Sequence, residues 1–537
     1  MSDEQPQQQL QQQPRNVRLI MFALMMAMLL AMLDNMIIGT AMPTIVGELG
    51  GLDHLSWVVT AYTLGTAVST PLWGKLGDMF GRKGIFLTSI VVFLAGSALS
   101  GMAQSMGQLI GFRAVQGLGA GGLMVGAFAI IGELIPPRER GKYQGMMASV
   151  MAVATVGGPL AGGAITDHLG WRWSFYINLP LGAVALAMIT TVLHLPARRS
   201  RARIDYAGAA LLAIGITSLV LITTWGGNEY AWGSAQIIGL AVLGVAALAA
   251  FVAVERRVAE PVLPLHIFGS RNFSLITLIG FLTGFVMFGA MTFLPLFQQT
   301  VQGASATNSG LLLLPMMLGL TLLSLVAGRV TTRTGRYKIF PVAGGALITA
   351  GLLLLAQMDT GTSRVTSGLY MAVLGAGMGL LMQVTLLIAQ NSVEMKDMGV
   401  ASSAATLFRT IGSSFGVALF GAIFTHQVHD TMVGRAGEKA ADMTSGGAQM
   451  DPDSIAELPA AIKDAYLHAV SDGTHQVFLW GTLISLIGFA AAWFIKEIPL
   501  RGSEPKPGPD GREASPAGPE ADQDAAEPVP SGTAERA

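Results

Sequence analysis

Long apolar stretches separated by short polar breaks run through most of this chain. They lie near Leu19–Met42, Leu55–Trp73, Ile85–Ala103, Leu109–Leu134, Tyr143–Ile165, Phe175–Leu193, Ala207–Trp225, Gln236–Val254, Phe273–Phe297, Leu311–Val330, Ile339–Gln357, Val365–Gln390, Ala401–Thr425 and Val477–Ile495. A helix needs roughly 20 such residues to cross a bilayer, so the pattern predicts an all-α integral membrane protein with 14 transmembrane helices. Residues 1–16 are Gln-rich and polar, without the layout of a signal peptide, and read as disordered; the Pro-, Gly- and acid-rich tail from Arg501 reads the same way.

Composition agrees with a lipid environment. The 537 residues are 52% hydrophobic and 12% charged, about half the roughly 25% charge of a soluble domain. The 67 glycines suit close helix packing in lipid. A net charge of −1 argues against a nucleic-acid partner, and the absence of cysteine excludes disulfides, thiolate catalysis and cysteine metal sites. The eight histidines lie in loops or near span ends without metal spacing, so no metal is expected.

Loop charge sets the expected orientation. With both termini cytoplasmic, 25 of the 32 Lys and Arg fall on the cytoplasmic side, five outside, and two, Arg113 and Arg409, within spans. That asymmetry obeys the positive-inside rule.

The loop after the second span, Gly74-Lys-Leu-Gly-Asp78-Met-Phe-Gly81-Arg82-Lys83, returns after the tenth as Gly328-Arg-Val-Thr-Thr332-Arg-Thr-Gly335-Arg336. The repeat predicts two related halves with a substrate site between them. The expected organisation is a six-helix half over 17–195, an inserted helix pair over 196–258, and a second six-helix half over 259–496 with an external loop at 427–476. Disordered cytoplasmic segments at 1–16 and 497–537 flank them. In that loop, Pro459–Val470 has Ile462, Tyr466 and Val470 at four-residue spacing, predicting a short amphipathic helix on the membrane surface or over the exit.

Several segments resemble the major facilitator superfamily. Gly74–Lys83 is similar to its signature loop, and Leu109–Gly119, containing Arg113, Gln116 and Gly117, to its span-4 motif. Gly158-Pro159-Leu-Ala-Gly162-Gly163 resembles the motif of its exporters, with Ala154 where that motif opens on glycine. Trp171–Gly182, containing Asn178, and the group Pro295, Gln299 and Gly303 resemble the fourteen-span drug:proton antiporters of the EmrB/QacA type. The resemblance runs from about Leu19 to Ile495. It implies the major facilitator fold and a secondary exporter of multiple drugs or antibiotics, and a monomer is expected; the Arg-over-Lys bias and Ala/Gly richness point to a bacterium with a GC-rich genome, hence to its inner membrane. No cofactor is implied: the proton gradient would drive a small hydrophobic, neutral or monocationic compound outward. A proton-coupled nutrient importer would share the fold, and a polytopic membrane enzyme or sensor is a further alternative.

Asp34 is the one acidic residue deep inside a predicted span. Placing it there costs roughly 2.5–3.5 kcal/mol, which makes it a candidate for proton handling; otherwise it locks helices together. Arg113 falls at a similar depth and is the expected partner, because an unpaired buried charge is costly. Gln116 and Gly117 share its helix face. In the signature loop, Gly74 and Gly81 are expected to allow a tight turn, while Asp78 and Arg82, next to Lys83, supply complementary charge at the cytoplasmic surface; Glu133, at the same level, is expected to complete a charge network, and the resemblance implies that this network clasps the two halves. Gly158 and Pro159 predict a bend, and Gly162 and Gly163 a close helix contact. Arg409 either binds anionic groups or caps carbonyls; both readings stay open. Candidates for the substrate pathway are Gln116, Gly117, Asn178, Gln299 and Arg409. Gly117-x-Gly119-x-x-Gly122 and Gly412-x-Ser414-x-Gly416 match enzyme motifs that need a preceding strand, and both lie within apolar helices.

Overall fold

In the computed structural model the described residues are 17–49, 55–135, 137–195, 205–226, 230–258, 261–304, 306–438 and 459–500. In chain order the helices are α1 (Val17–Leu49), α2 (Leu55–Phe80), α3 (Arg82–Gly101), α4 (Met106–Leu134), α5 (Pro137–Leu169), α6 (Trp173–Tyr176), α7 (Asn178–Val192), α8 (Tyr206–Trp225), α9 (Ala235–Glu255), α10 (Arg271–Thr300), α11 (Ala306–Leu312), α12 (Leu314–Thr334), α13 (Ile339–Leu355), α14 (Arg364–Asn391), α15 (Met398–Ala436) and α16 (Ala460–Trp493). Every predicted apolar run is helical over nearly all of its length. Among the described residues, 11 helices are long and apolar enough to cross a membrane, and Ile339–Leu355 is apolar but shorter.

Local sequence sets many of the boundaries. Ser105, Ser234, Ser270 and Ser363 each sit one residue before a helix and accept from the backbone N–H three residues on, at 3.1–3.5 Å. Asp205 does the same for α8 at 2.8 Å. Gly81 and Gly335 hold φ of 98° and 70°, the left-handed region that a side chain would strain. These are the seventh residues after Gly74 and Gly328, so the two repeat loops share a turn geometry as well as a sequence.

Packing repeats as well. Within residues 17–192, α4 packs on α2 and α3, and α1 on α5 and α7; within 271–493, α14 packs on α12 and α13, and α10 on α15 and α16. The seam between the halves is made chiefly by α5 along α12 and by α2 along α15, while α8 and α9 pair with each other and α8 rests on α2 and α15. Many of the side chains facing outward are large and apolar. On α9, Ile238, Val242 and Val245 are exposed, and on α12, Leu318, Leu322 and Val326. Such stripes suit lipid rather than water.

Two expectations change. The signature segment is not a surface loop: α2 continues to Phe80, so Asp78 stands inside a helix and only Gly81 turns the chain. Pro459–Val470 is not a separate surface helix either. It opens α16, which runs without a break to Trp493, and α15 extends to Ala436 to meet it. The apolar stripe that suggested a membrane-surface helix is buried within this hairpin, with Tyr466 and Val470 in one core with Val428 and Met432. Of the expected loop at 427–476, residues 439–458 lie outside the described part, as do 1–16 and everything from 501.

Candidate functional site

A carboxylate in an apolar helix must be supplied with hydrogen-bond donors by its neighbours. Asp34 on α1 is fully buried, the only carboxylate among the described residues with no exposure. Arg113 Nη1 of α4 donates to Asp34 Oδ2 and, at 2.9 Å, to Gln116 Oε1. Gln116 Nε2 donates to Asp34 Oδ1 at 2.8 Å, and Asn178 Nδ2 of α7 donates to the same oxygen at 2.8 Å. Asn178 also reaches Ser97 Oγ of α3 at 3.0 Å, which donates to the Phe175 carbonyl at 2.9 Å. Tyr62 of α2 closes the group: its ring lies 4.1 Å from the Arg113 guanidinium carbon, and its hydroxyl donates to the Ala31 carbonyl at 2.9 Å. Five helices thus converge on one carboxylate.

Arg113 is not fully satisfied. Its Nε and Nη2 are buried without a hydrogen-bond partner among the described residues, and the Tyr62 face supplies a cation–π contact in their place. The Asp34 oxygens, by contrast, accept from three donors.

A second constellation lies at the start of α15. Asp78 Oδ1 accepts from Arg82 Nη2 at 2.9 Å and Nε at 3.3 Å, while its Oδ2 accepts from the Val400 backbone N–H at 3.0 Å. Val400 is in the first turn of α15, so a carboxylate from the first half caps the positive end of a helix of the second. Arg82 Nη1 continues to the Ala129 carbonyl at 2.7 Å and to Glu133 at 3.3 Å, and Lys83 Nζ binds the Thr190 carbonyl at 2.8 Å. The backbones meet here: a Cβ on Gly74 would fall 2.6 Å from Ser403 Oγ, and one on Gly399 2.4 Å from Asp78 Oδ1. Gln390 Nε2 donates to the Phe128 carbonyl at 3.4 Å in the same layer. In the second repeat loop, Thr332 only donates back to the Gly328 carbonyl of its own helix, at 2.8 Å. The repeat keeps the turn and loses the charge.

The other candidates separate. Gly117 packs backbone on backbone, a Cβ there falling 2.2 Å from the Tyr62 carbonyl. Gly158 lies against Met36 of α1, with 2.3 Å from its would-be Cβ to the Met36 Cβ, two residues beyond Asp34. Gly162 is buried, whereas a Cβ on Gly163 would meet no atom within 4 Å, so Gly163 makes no close helix contact. Gln299 is near the far end of α10 and donates to Ser309 Oγ at 2.9 Å, not to the Asp34 group. Arg409 is on α15 of the second half. Tyr62, Ser97 and Val400 were not singled out from sequence: tyrosines and serines are common in apolar helices, and no local spacing marks a contact between residues 322 positions apart.

Residues 24–417 match the family model of the Major Facilitator Superfamily. An uncharacterized MFS-type transporter of Mycobacterium tuberculosis is 44% identical over 91% of this chain and 70% of its own length. The multidrug transporter protein MdtP of Bacillus subtilis is 36% identical over 87% of this chain and 91% of its own, and multidrug resistance protein 3 of that organism 36% over 86% and 92%. Among solved structures, the proton:xylose symporter XylE overlays with a TM-score of 0.58 at 14% identity, covering 90% of this chain and 97% of that one. A transporter set in the bilayer, not an enzyme, is what these matches and the helical architecture jointly identify, and the chain belongs to the major facilitator superfamily.

Proposed function

We propose that this transporter is a proton-coupled exporter of lipophilic drug-like compounds, with 14 spans, both termini in the cytoplasm, and Asp34 as the coupling carboxylate. The observation that carries the reading is the Asp34 site, a fully buried carboxylate whose donors come from α4 and α7. A movement of α4 against α1 would withdraw Arg113 and Gln116 together, because they are one turn apart on one helix. The carboxylate left behind would be buried without a counter-charge, a costly state that a proton relieves. Return of Arg113 would expel that proton.

The Asp78 cap supplies the alternation. In the described state it closes the seam on the face that carries the Arg-rich loops, which the reading places in the cytoplasm. Breaking the cap would open that face, and the proton state of Asp34 would decide when. The two bacterial relatives whose names mention multidrug transport or resistance support export, as does the exporter-type segment around Gly158, packed on α1 next to Asp34.

One proton moving down 100 mV supplies about 2.3 kcal/mol, enough to hold a neutral compound at roughly a fiftyfold gradient. A monocation exchanged for a proton would gain only from the pH difference. All of the Asp34 charge is taken up by Arg113, Gln116 and Asn178, so the described state offers cations no free carboxylate there. The testing experiment is transport in vesicles of known orientation with an imposed pH gradient. Export coupled to counterflow of protons is expected. Uptake with the proton would establish the importer instead, and transport indifferent to pH would exclude coupling.

A further inference from the structure

Charge inside the described spans is balanced in the first half only. Asp34 and Arg113 neutralise each other, both fully buried. Arg409 is the twelfth residue of α15, about 17 Å from the helix start at ~1.5 Å per residue, and so near the middle of a core ~30 Å thick. It is half-buried, and its guanidinium makes no hydrogen bond or ion pair with any described residue.

Its place on α15 is fixed. A Cβ on Gly284 of α10 would lie 2.1 Å from the Arg409 carbonyl oxygen and 3.0 Å from its Cγ, so the two helices touch backbone to backbone here. The contact continues along α15 at Gly412 and Gly416, whose would-be Cβ atoms fall 2.0 and 2.2 Å from the Phe281 and Phe285 carbonyls. The opposite flank of α15 faces α2 through Gly399 and Ser403. At ~100° per residue, Arg409 falls on the edge of the α10 contact nearer to α2, towards the seam. Gly284 leaves its side chain room to depart from the contact, and Phe281 and Phe285 flank that glycine.

A mid-membrane guanidinium with no hydrogen-bond or ion-pair partner among the described residues is an expensive group to keep, and an anion from outside the chain would relieve the cost. We propose that Arg409 recognises an anionic group on the transported compound, so that the substrates include amphipathic organic anions: a carboxylate, phenolate or sulfonate on a lipophilic body. This deepens the exporter reading and rests on it. It also assigns the halves different tasks, with Asp34 of the first handling the proton and Arg409 of the second holding the substrate charge. Exchange of one proton inward for one monoanion outward moves two charges, so the attainable gradient should change about a hundredfold per ~60 mV, against tenfold for a neutral compound.

The test uses the full chain with dansyl-undecanoic acid and its methyl ester, read by dansyl fluorescence in detergent and by export from proteoliposomes. Wild type should bind the acid at least about tenfold tighter than the ester. Arg409→Gln should weaken the acid by about ten- to a hundredfold and leave the ester within about twofold, since a charge-assisted contact is worth that much and the ester never made it. Arg409→Lys should restore most of the preference. Equal affinities in wild type, unchanged acid binding in Arg409→Gln, or equal loss of acid and ester would overturn the proposal; ester binding shows that the variant is folded. If the acid preference stands but neither compound is driven by an imposed pH gradient, the exporter reading fails and the anion site survives.

Discussion

Replacing Asp78 with Asn perturbs the contact between the halves without touching the Asp34 site. The carboxylate and the Arg82 side chain are 7% and 8% exposed, so their interaction is little screened by solvent. Asp78 offers one oxygen to the guanidinium and the other to the Val400 N–H. Asn keeps one acceptor oxygen and loses the charge, which weakens both the ion pair and the interaction with the positive end of α15. A charge-assisted hydrogen bond is worth about 1.5–3 kcal/mol, and a charge at a helix terminus adds about 0.3–2. Because Asn retains one contact, the closed state should lose about 1–2 kcal/mol, roughly a five- to thirtyfold shift towards opening. The chain contains no cysteine, so a single Ser403→Cys reports opening against a silent background. Ser403 is fully buried beneath Gly74 in the described state. Its alkylation by an impermeant maleimide, applied from the face of the Arg-rich loops, should accelerate in proportion when Asp78→Asn is added. Thr332→Ala, at the matching place in the second repeat loop, should change nothing. Alkylation unaffected by Asp78→Asn in a folded protein, or accelerated equally by Thr332→Ala, would refute the reasoning.

Three further expectations follow from particular contacts. Gly117→Ala drives a methyl into the Tyr62 carbonyl and should destabilise the protein by about 1–3 kcal/mol in detergent melts, whereas Gly163→Ala, with nothing within 4 Å, should be neutral. Glu48, ten residues beyond Ile38 and outside the spanning part of α1, accepts from Trp171 Nε1 at 2.9 Å and Arg172 at 2.7 Å; these bonds hold its carboxyl below the usual carboxylate range. A depressed value means the contact is present above the ordinary range and lost only as pH falls below it, so the Trp171 contribution to fluorescence should persist through that range and vanish under more acid conditions, and Glu48→Gln should remove the transition. Asp464, mostly exposed on the α15–α16 hairpin, should as Asp464→Cys be labelled by impermeant reagents only from the side opposite the Arg-rich loops; labelling from the loop side would invert the proposed topology.

Much of the fold is legible in the sequence because a span must be apolar for its full length, whatever it packs against. Asp34 and Arg113 stood out for the complementary reason: a charge inside such a run has no trivial explanation. Gln116 followed from its place one turn beyond Arg113. Asn178 was reached only through resemblance, since an amide near the start of a span is unremarkable until it is seen donating to Asp34. The Asp78–Val400 contact was illegible, as it joins a helix end to a backbone group with no side-chain signature. The α16 extension misled for a physical reason. An amphipathic stripe records that one face is buried, not whether lipid or another helix buries it, and here α15 does. That Arg409 has no hydrogen-bond or ion-pair partner among the described residues was likewise invisible, because a sequence places the charge but not the polar groups around it.

The central claim is that Asp34 couples proton movement to export, and substrate-induced proton release in proteoliposomes tests it most directly. Asp34→Asn keeps the shape and can still hydrogen-bond to Gln116 and Asn178, but it cannot gain or lose a proton. Wild type should release protons on substrate addition and concentrate a neutral lipophile under a pH difference alone. The variant should insert at normal levels, release no protons, and pass substrate only downhill, at a rate indifferent to pH. Accumulation against a gradient by Asp34→Asn with only a pH difference imposed would contradict the account.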